Sequence, residues 1–96
     1  MRKYEVMILI DPSVDERQVD SLMERYLKVV TDEKGTVDNV DVWGKRRLAY
    51  EIQKKSEALY VVLDVTCNPA TVQEVDRLFA IDENILRTKV MRPEIH

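Results

Sequence analysis

The residues best equipped for chemistry lie together in Trp43-Gly44-Lys45-Arg46-Arg47-Leu48-Ala49-Tyr50. Three consecutive cations between two aromatic rings suit one kind of target. Arginine and lysine neutralise phosphates, while indole, phenol and guanidinium planes stack on unpaired bases. The same stretch could instead be a charged edge strand that blocks pairing between sheets, and local chemistry does not choose between the two. Tyr50 follows the alternation of Leu48 and Ile52, which predicts a core position for it. Gly44, inside a strand pattern that changes phase, predicts a bulge. The candidate contacts of this stretch are thus Trp43, Lys45, Arg46 and Arg47.

A second cationic group, Arg87, Lys89 and Arg92, lies near the C-terminus, with Arg87 and Lys89 on one side of a strand. Arg2 and Tyr4 open the chain and are expected close to this group if the first and last strands are neighbours. Tyr4 shares the parity of Val6, so the core competes for it. Lys54-Lys55 is a weaker pair in a loop. Met7 and Met91 are adaptable apolar side chains that suit either a protein interface or plain packing.

Catalysis finds no footing in these residues. His96 is the last residue and the single histidine, and Cys67 is a lone thiol without a histidine in reach. The chain has no CxxC pair, no HExxH and no Gly-rich phosphate loop. Its carboxylates concentrate on a helix flank, where a solvated face is their ordinary role. No catalytic, cofactor-binding or metal-binding residue is assigned.

The charge balance is 15 Lys and Arg against 18 Asp and Glu, a net of −3. By itself that opposes phosphate binding, which usually requires a basic excess. The distribution of the charges points the other way. Asp11, Asp15, Glu16, Asp20, Glu24, Asp32, Glu33, Asp38 and Asp41 fill one segment, whereas the cations cluster elsewhere. A protein so divided can present one positive face. Residues 6–10 and 58–63, the longest apolar runs, fall far short of the roughly twenty residues that span a bilayer. The start shows no signal-peptide pattern and the lone cysteine suits a reducing compartment, so a cytoplasmic protein without a membrane partner is expected.

Positioning these residues falls to elements of two periods. At 96 residues, with two Gly, three Pro and 45% hydrophobic residues, the chain fits one regular domain spanning 1–96. Residues 3–10 alternate as a strand. Ser13 and Glu16 have capping-box spacing, and Val19, Leu22, Met23, Tyr26, Leu27 and Val30 recur as a helical stripe that Gly35 should end in a left-handed cap. A long strand follows over residues 36–52, a loop over 53–57 and a strand over 58–65. Asn68-Pro69 then starts a helix with Val72, Val75, Leu78 and Phe79 inward. Residues 85–91 form the last strand. This βαββαβ order predicts an α+β sandwich: an antiparallel sheet in order 4-1-3-2 with both helices on one face. Val6, Ile8, Val61, Leu63 and Val90 should face the helices, and Glu5, Met7, Tyr60, Val62, Arg87, Lys89 and Met91 the open side. An open face that is apolar in the middle and basic at one edge suggests a partner.

Three stretches at matching spacing, Arg2-Lys3-Tyr4-Glu5-Val6, Gly44-Lys45-Arg46-Arg47-Leu48-Ala49-Tyr50 and Ile85-Leu86-Arg87-Thr88-Lys89-Val90, resemble the sixth protein of the bacterial small ribosomal subunit over nearly the whole chain. The resemblance implies a ferredoxin-like fold with no cofactor and no catalysis. It also implies binding to the central domain of small-subunit (16S) rRNA together with ribosomal protein eighteen. Arg2, Tyr4, Arg46, Arg47 and Arg87 become expected RNA or partner contacts, with Trp43, Lys45, Lys89 and Arg92 beside them. The chain stops at Pro93-Glu94-Ile95-His96, short of the charged tail many family members carry. A free monomer is expected. Two rivals use the same scaffold, a small-molecule-binding domain and a dimeric ferredoxin-like enzyme. Neither needs a Lys-Arg-Arg cluster. An RNA-recognition module that stacks bases on its central strands is rejected, because residues 56–63 lack the required aromatics.

Overall fold

The computed structural model describes residues 1–91. β1 (Arg2–Ile10), a 3₁₀ turn (Glu16–Gln18), α1 (Val19–Asp32), β2 (Thr36–Ile52), β3 (Lys55–Cys67), α2 (Pro69–Ala80) and β4 (Ile85–Met91) follow one another in the expected βαββαβ order. They form one sheet in the order β2-β3-β1-β4, with every neighbouring pair antiparallel. This is the expected 4-1-3-2 order of a ferredoxin-like fold.

Alternation along the two central strands sorts the side chains. Val6, Ile8 and Ile10 lie opposite Leu63, Val61 and Leu59, and all six are buried at 2% exposure or less. The helices cover this face with Val19, Met23, Tyr26 and Val30 from α1 and Val72, Val75 and Phe79 from α2. Each such aliphatic side chain is worth about 1.5–3 kcal/mol when fully withdrawn from water. The Tyr26 and Phe79 rings, 4.1 Å between centroids, join the helices to each other.

The helix ends depart from the expected chemistry. The Ser13–Glu16 capping box does not form. The Asp11 carboxylate instead accepts the Ser13 N–H at 2.9 Å, and the Asp15 carboxylate accepts the Arg17 N–H at 2.9 Å and opens the 3₁₀ turn. Asp11 thereby closes a local Asx turn, and Asp15 caps the 3₁₀ turn with a carboxylate, which the positive end of a helix favours. At the other end the left-handed residue is Lys34, with φ 67°, rather than Gly35. The Lys34 N–H reaches the Thr31 carbonyl at 3.0 Å and the Gly35 N–H reaches the Val30 carbonyl at 2.8 Å, which together make a Schellman cap.

Gly35 serves packing. A β-carbon there would stand 2.8 Å from the Thr66 carbonyl oxygen and 2.9 Å from Cys67 Cβ. The absent side chain lets the end of α1 sit directly on β3. For α2, Asn68 is the cap as expected, but its backbone carbonyl takes the Thr71 and Val72 N–H groups and its side chain makes no capping bond.

The expected five-residue hairpin loop is shorter. β2 and β3 turn through Gln53 and Lys54 alone, with φ 50° and 66°, and Ile52 already pairs with Lys55. Two positive φ values in a two-residue turn fit the type I′ geometry that matches strand twist.

The two residues that end α1 generate opposite expectations. Gly35→Ala should lower the unfolding free energy by about 1–3 kcal/mol through overpacking. Lys34→Gly should raise it by up to ~1 kcal/mol by relieving the left-handed strain. Urea unfolding of the two variants checks this, and a loss of stability in Lys34→Gly would contradict the strain assigned to Lys34.

Candidate nucleic-acid and partner interface

The open face of the sheet is built by β1 positions Glu5, Met7 and Leu9, by Tyr60 and Val62 of β3, and by Arg87, Lys89 and Met91 of β4. Its two ends are shaped by length. β2 and β3 run 17 and 13 residues, far beyond the nine of β1, so their hairpin projects past the sheet. The pairing then slips. Arg47 lies opposite Glu57 and Ile52 opposite Lys55, leaving Leu48, Ala49, Tyr50 and Glu51 against Ser56 alone. Such an insertion bends the longer strand.

The bent arm reaches back to β4. The Arg87 guanidinium donates to the Tyr50 hydroxyl at 3.0 Å, and the Gln53 side-chain amide donates to the Leu86 carbonyl at 3.4 Å. Tyr50 is therefore 65% exposed and not in the core, which corrects the position inferred from its alternation with Leu48 and Ile52.

Between arm and sheet lies an open groove of about 450 Å³, lined by Met7, Leu9, Leu48 and Ile52 together with Tyr50, Tyr60, Arg87 and Lys89. Beside it a shallower depression is lined by Trp43, Arg46, Arg47 and Tyr60. Tyr60 belongs to both. The cations of β2 and of β4, separate in sequence, thus meet around one half-buried tyrosine on the central strand. Sequence reasoning placed Tyr60 on the open side but did not make it a site residue. Its signal was its parity with Val62 at the middle of a strand whose edge neighbour is cationic.

The remaining expected site residues scatter. Lys45 lies opposite Leu59, a core residue, so it leaves the edge on the helix side, away from Arg46. Tyr4 is 5% exposed within the core, so the parity with Val6 prevailed and its ring is withdrawn from the surface. Arg2 is exposed but distant from Arg87 and Lys89. It pairs with Cys67, and Lys89 pairs with Met7, five residues or roughly 17 Å further along β1. Arg92 lies outside the described residues. Among the described residues, Arg2, Lys45, Arg46, Arg47, Arg87 and Lys89 have no carboxylate within 4.0 Å, whereas Arg17, Arg25, Lys55 and Arg77 do.

The helix layer has the opposite sign. Asp20 and Glu24 on α1, with Leu27 and with Val40 of β2, line a depression along the far side of the edge strand. On another side of α1, Tyr26 donates a short hydrogen bond to the Asp82 carboxylate, and Arg25 approaches the same carboxylate at 3.7 Å. Burial, reinforced by that carboxylate, pushes the Tyr26 hydroxyl well above its ordinary value. A perturbed tyrosine can mark a reactive site. Here it ties α1 to the α2–β4 turn, whose Asn84 N–H also binds Asp82 at 2.9 Å. Cys67 is fully buried, and burial raises its thiol, which opposes any nucleophilic role.

The family model described as ribosomal protein S6 matches residues 3–92. The chain belongs to the ribosomal protein S6 family. It is 82% identical to small ribosomal subunit protein bS6 of Cutibacterium acnes, with each chain covered completely. It is also 62% identical to the protein of that name in Micrococcus luteus, over 98% of this chain and 93% of the relative. The crystal structure of 30S ribosomal protein S6 from Thermotoga maritima superposes with a TM-score of 0.86 at 35% identity, covering 95% of this chain and 86% of that one. The C-terminal domain of MgtC from Mycobacterium tuberculosis shares the fold alone, at 8% identity and a TM-score of 0.66. Membership of this family makes the chain a structural small-subunit ribosomal protein, associated with the ribosome in the cytoplasm and not an enzyme. The enzymatic rival is removed by it.

If the Tyr26–Asp82 bond is structural, Tyr26→Phe should cost about 1.5–3 kcal/mol, the range for a hydrogen bond to a charged group. RNA affinity should not change. Chemical denaturation and a binding titration on the same variant check both halves.

Proposed function

We propose that the chain binds the central domain of 16S rRNA jointly with ribosomal protein eighteen, as a monomer when free, and so helps to assemble the small subunit. The observation that carries this reading is that Arg46 and Arg47 line one depression and Arg87 and Lys89 the adjoining groove, with Tyr60 shared by both. Four cations without carboxylate partners among the described residues form an electrostatic footprint for phosphates, and most of the carboxylates lie away from it, with Glu5 and Asp41 the exceptions.

The net charge of −3 supports dependence on a partner. A chain with a negative sum gains little from counterion release by itself, so a basic companion must supply part of the attraction. Two surfaces suit that companion. The groove beside Tyr60 offers Met7, Leu9, Leu48 and Ile52, an apolar lining of the kind protein interfaces bury. The depression at Asp20, Glu24, Leu27 and Val40 combines apolar contact with negative charge, which steers a basic protein toward the edge strand.

Binding of the chain to a central-domain 16S rRNA fragment, with and without ribosomal protein eighteen and at two salt concentrations, tests the proposal. Binding should be salt-sensitive and much tighter with the partner. Arg46→Ala and Arg87→Ala should each weaken it roughly threefold to tenfold and reduce the salt slope by about one. Tight binding by the isolated chain at physiological salt would remove the partner dependence. No binding in either mixture, with the fold intact, would sink the RNA-binding role.

A further inference from the structure

Trp43 is the one tryptophan of the chain, and it stands 43% exposed on the edge strand. Its position comes from the bulge at Gly44. Val42 pairs with Val61 and Gly44 with the adjacent Tyr60, so Trp43 is the extra residue with no partner in β3. The turn back into the strand uses φ 82° at Gly44, and this re-aims the side chain onto the open face.

Two contacts then hold the indole. Its Nε1 donates to the Asp41 carboxylate at 2.9 Å, and its plane lies 3° from that of Tyr60 with 5.9 Å between centroids. Parallel rings at that separation form an offset stack, which leaves part of the indole face open. Arg46 and Arg47 line the same depression. The result is a ring fixed in orientation before any ligand arrives, in a depression bordered by Arg46 and Arg47 and, at the indole nitrogen, by the Asp41 carboxylate. Preorganisation of this kind lowers the ordering cost of binding.

We propose that this depression takes one unpaired nucleotide of RNA, whose base extends the Tyr60–Trp43 stack while its phosphates meet Arg46 and Arg47. The inference rests on the RNA-binding reading and narrows it. The feature recognised here is a single-stranded or bulged nucleotide, because bases inside a helix stack on one another and present no free face. A segment of a basic partner protein fits less well, since Arg46 and Arg47 outnumber the one carboxylate, Asp41, at this depression, and it lacks the aliphatic lining of the groove beside it. Arg46 and Arg47 are also too polar a border for a purely apolar anchor.

The test compares two RNA hairpins that differ by one bulged adenosine, each titrated into the full chain at low salt, alone and with ribosomal protein eighteen. Fluorotryptophan at the single tryptophan lets fluorine NMR read Trp43 directly. The bulged hairpin should bind about tenfold more tightly, within the range for one base on an aromatic ring, and should move the fluorine resonance. Trp43→Leu should abolish that advantage, so that both hairpins bind alike, and Trp43→Phe should keep part of it.

Equal affinity for both hairpins with an unmoved resonance would overturn the stack and leave phosphate binding by the arginines standing. A resonance moved by ribosomal protein eighteen alone, with no advantage for the bulge, would assign the ring to a protein interface instead. No binding of either hairpin in any mixture would overturn this inference and the RNA-binding reading together.

Discussion

Both helices lie on the same face of a four-stranded sheet, and the rest of the molecule depends on this one-sided burial. Val6, Ile8 and Ile10 of β1 meet Leu63, Val61 and Leu59 of β3 beneath Phe79 and Met23. Right-handed crossovers leave a βαββαβ chain no other arrangement of its helices. The opposite face consequently receives every second side chain of the central strands with neither helix to cover it. Met7, Leu9 and Tyr60 are only half-buried there. An enzyme of this fold could enclose a cleft on such a face. Here the face is flanked by cations that have no carboxylate partner among the described residues, and its surplus is contact area.

The long hairpin converts that flat face into a shaped surface. Type I′ geometry at Gln53 and Lys54 keeps the arms of β2 and β3 paired, and the slip after Arg47 bends them toward β4. Two hydrogen bonds, from Arg87 to Tyr50 and from Gln53 to Leu86, hold the arm over the sheet. Each is worth little by itself. Their consequence is geometric, because they bring the two cationic clusters of the sequence to the borders of adjoining depressions that share Tyr60.

Charge is separated by layer. The segment from Asp11 to Asp38 places most of its carboxylates on the helix side and along the start of β2, where Asp11 and Asp15 also organise the entry to α1. Asp41 turns to the open face beside Trp43. The open face also carries Glu5 and Asp41, but Arg46, Arg87 and Lys89 gather around Tyr60, with Arg47 at the border of the same depression. A protein with net charge −3 can thereby be repelled by phosphate at one surface and attracted at another.

Much of the fold was legible in the residues themselves. The bounds of β2 and β4, the strand order and the inward stripe of each helix followed from periods of two and 3.6, which are local properties of a few consecutive side chains. So did the bulge at Gly44 and the competition of the core for Tyr4. What only the tertiary structure decided depends on pairing between distant strands. Arg2 falls at the far end of the sheet from Arg87 because antiparallel register, not adjacency of strands, sets distance along them. Tyr50 leaves the core because a slip after Arg47 ends the alternation that its neighbours suggested. Gly35 yields the left-handed position to Lys34 because the close approach of β3 demands a residue without a side chain. Periodicity is written one residue at a time, whereas register, bulge and close approach are fixed only when two segments of the chain meet.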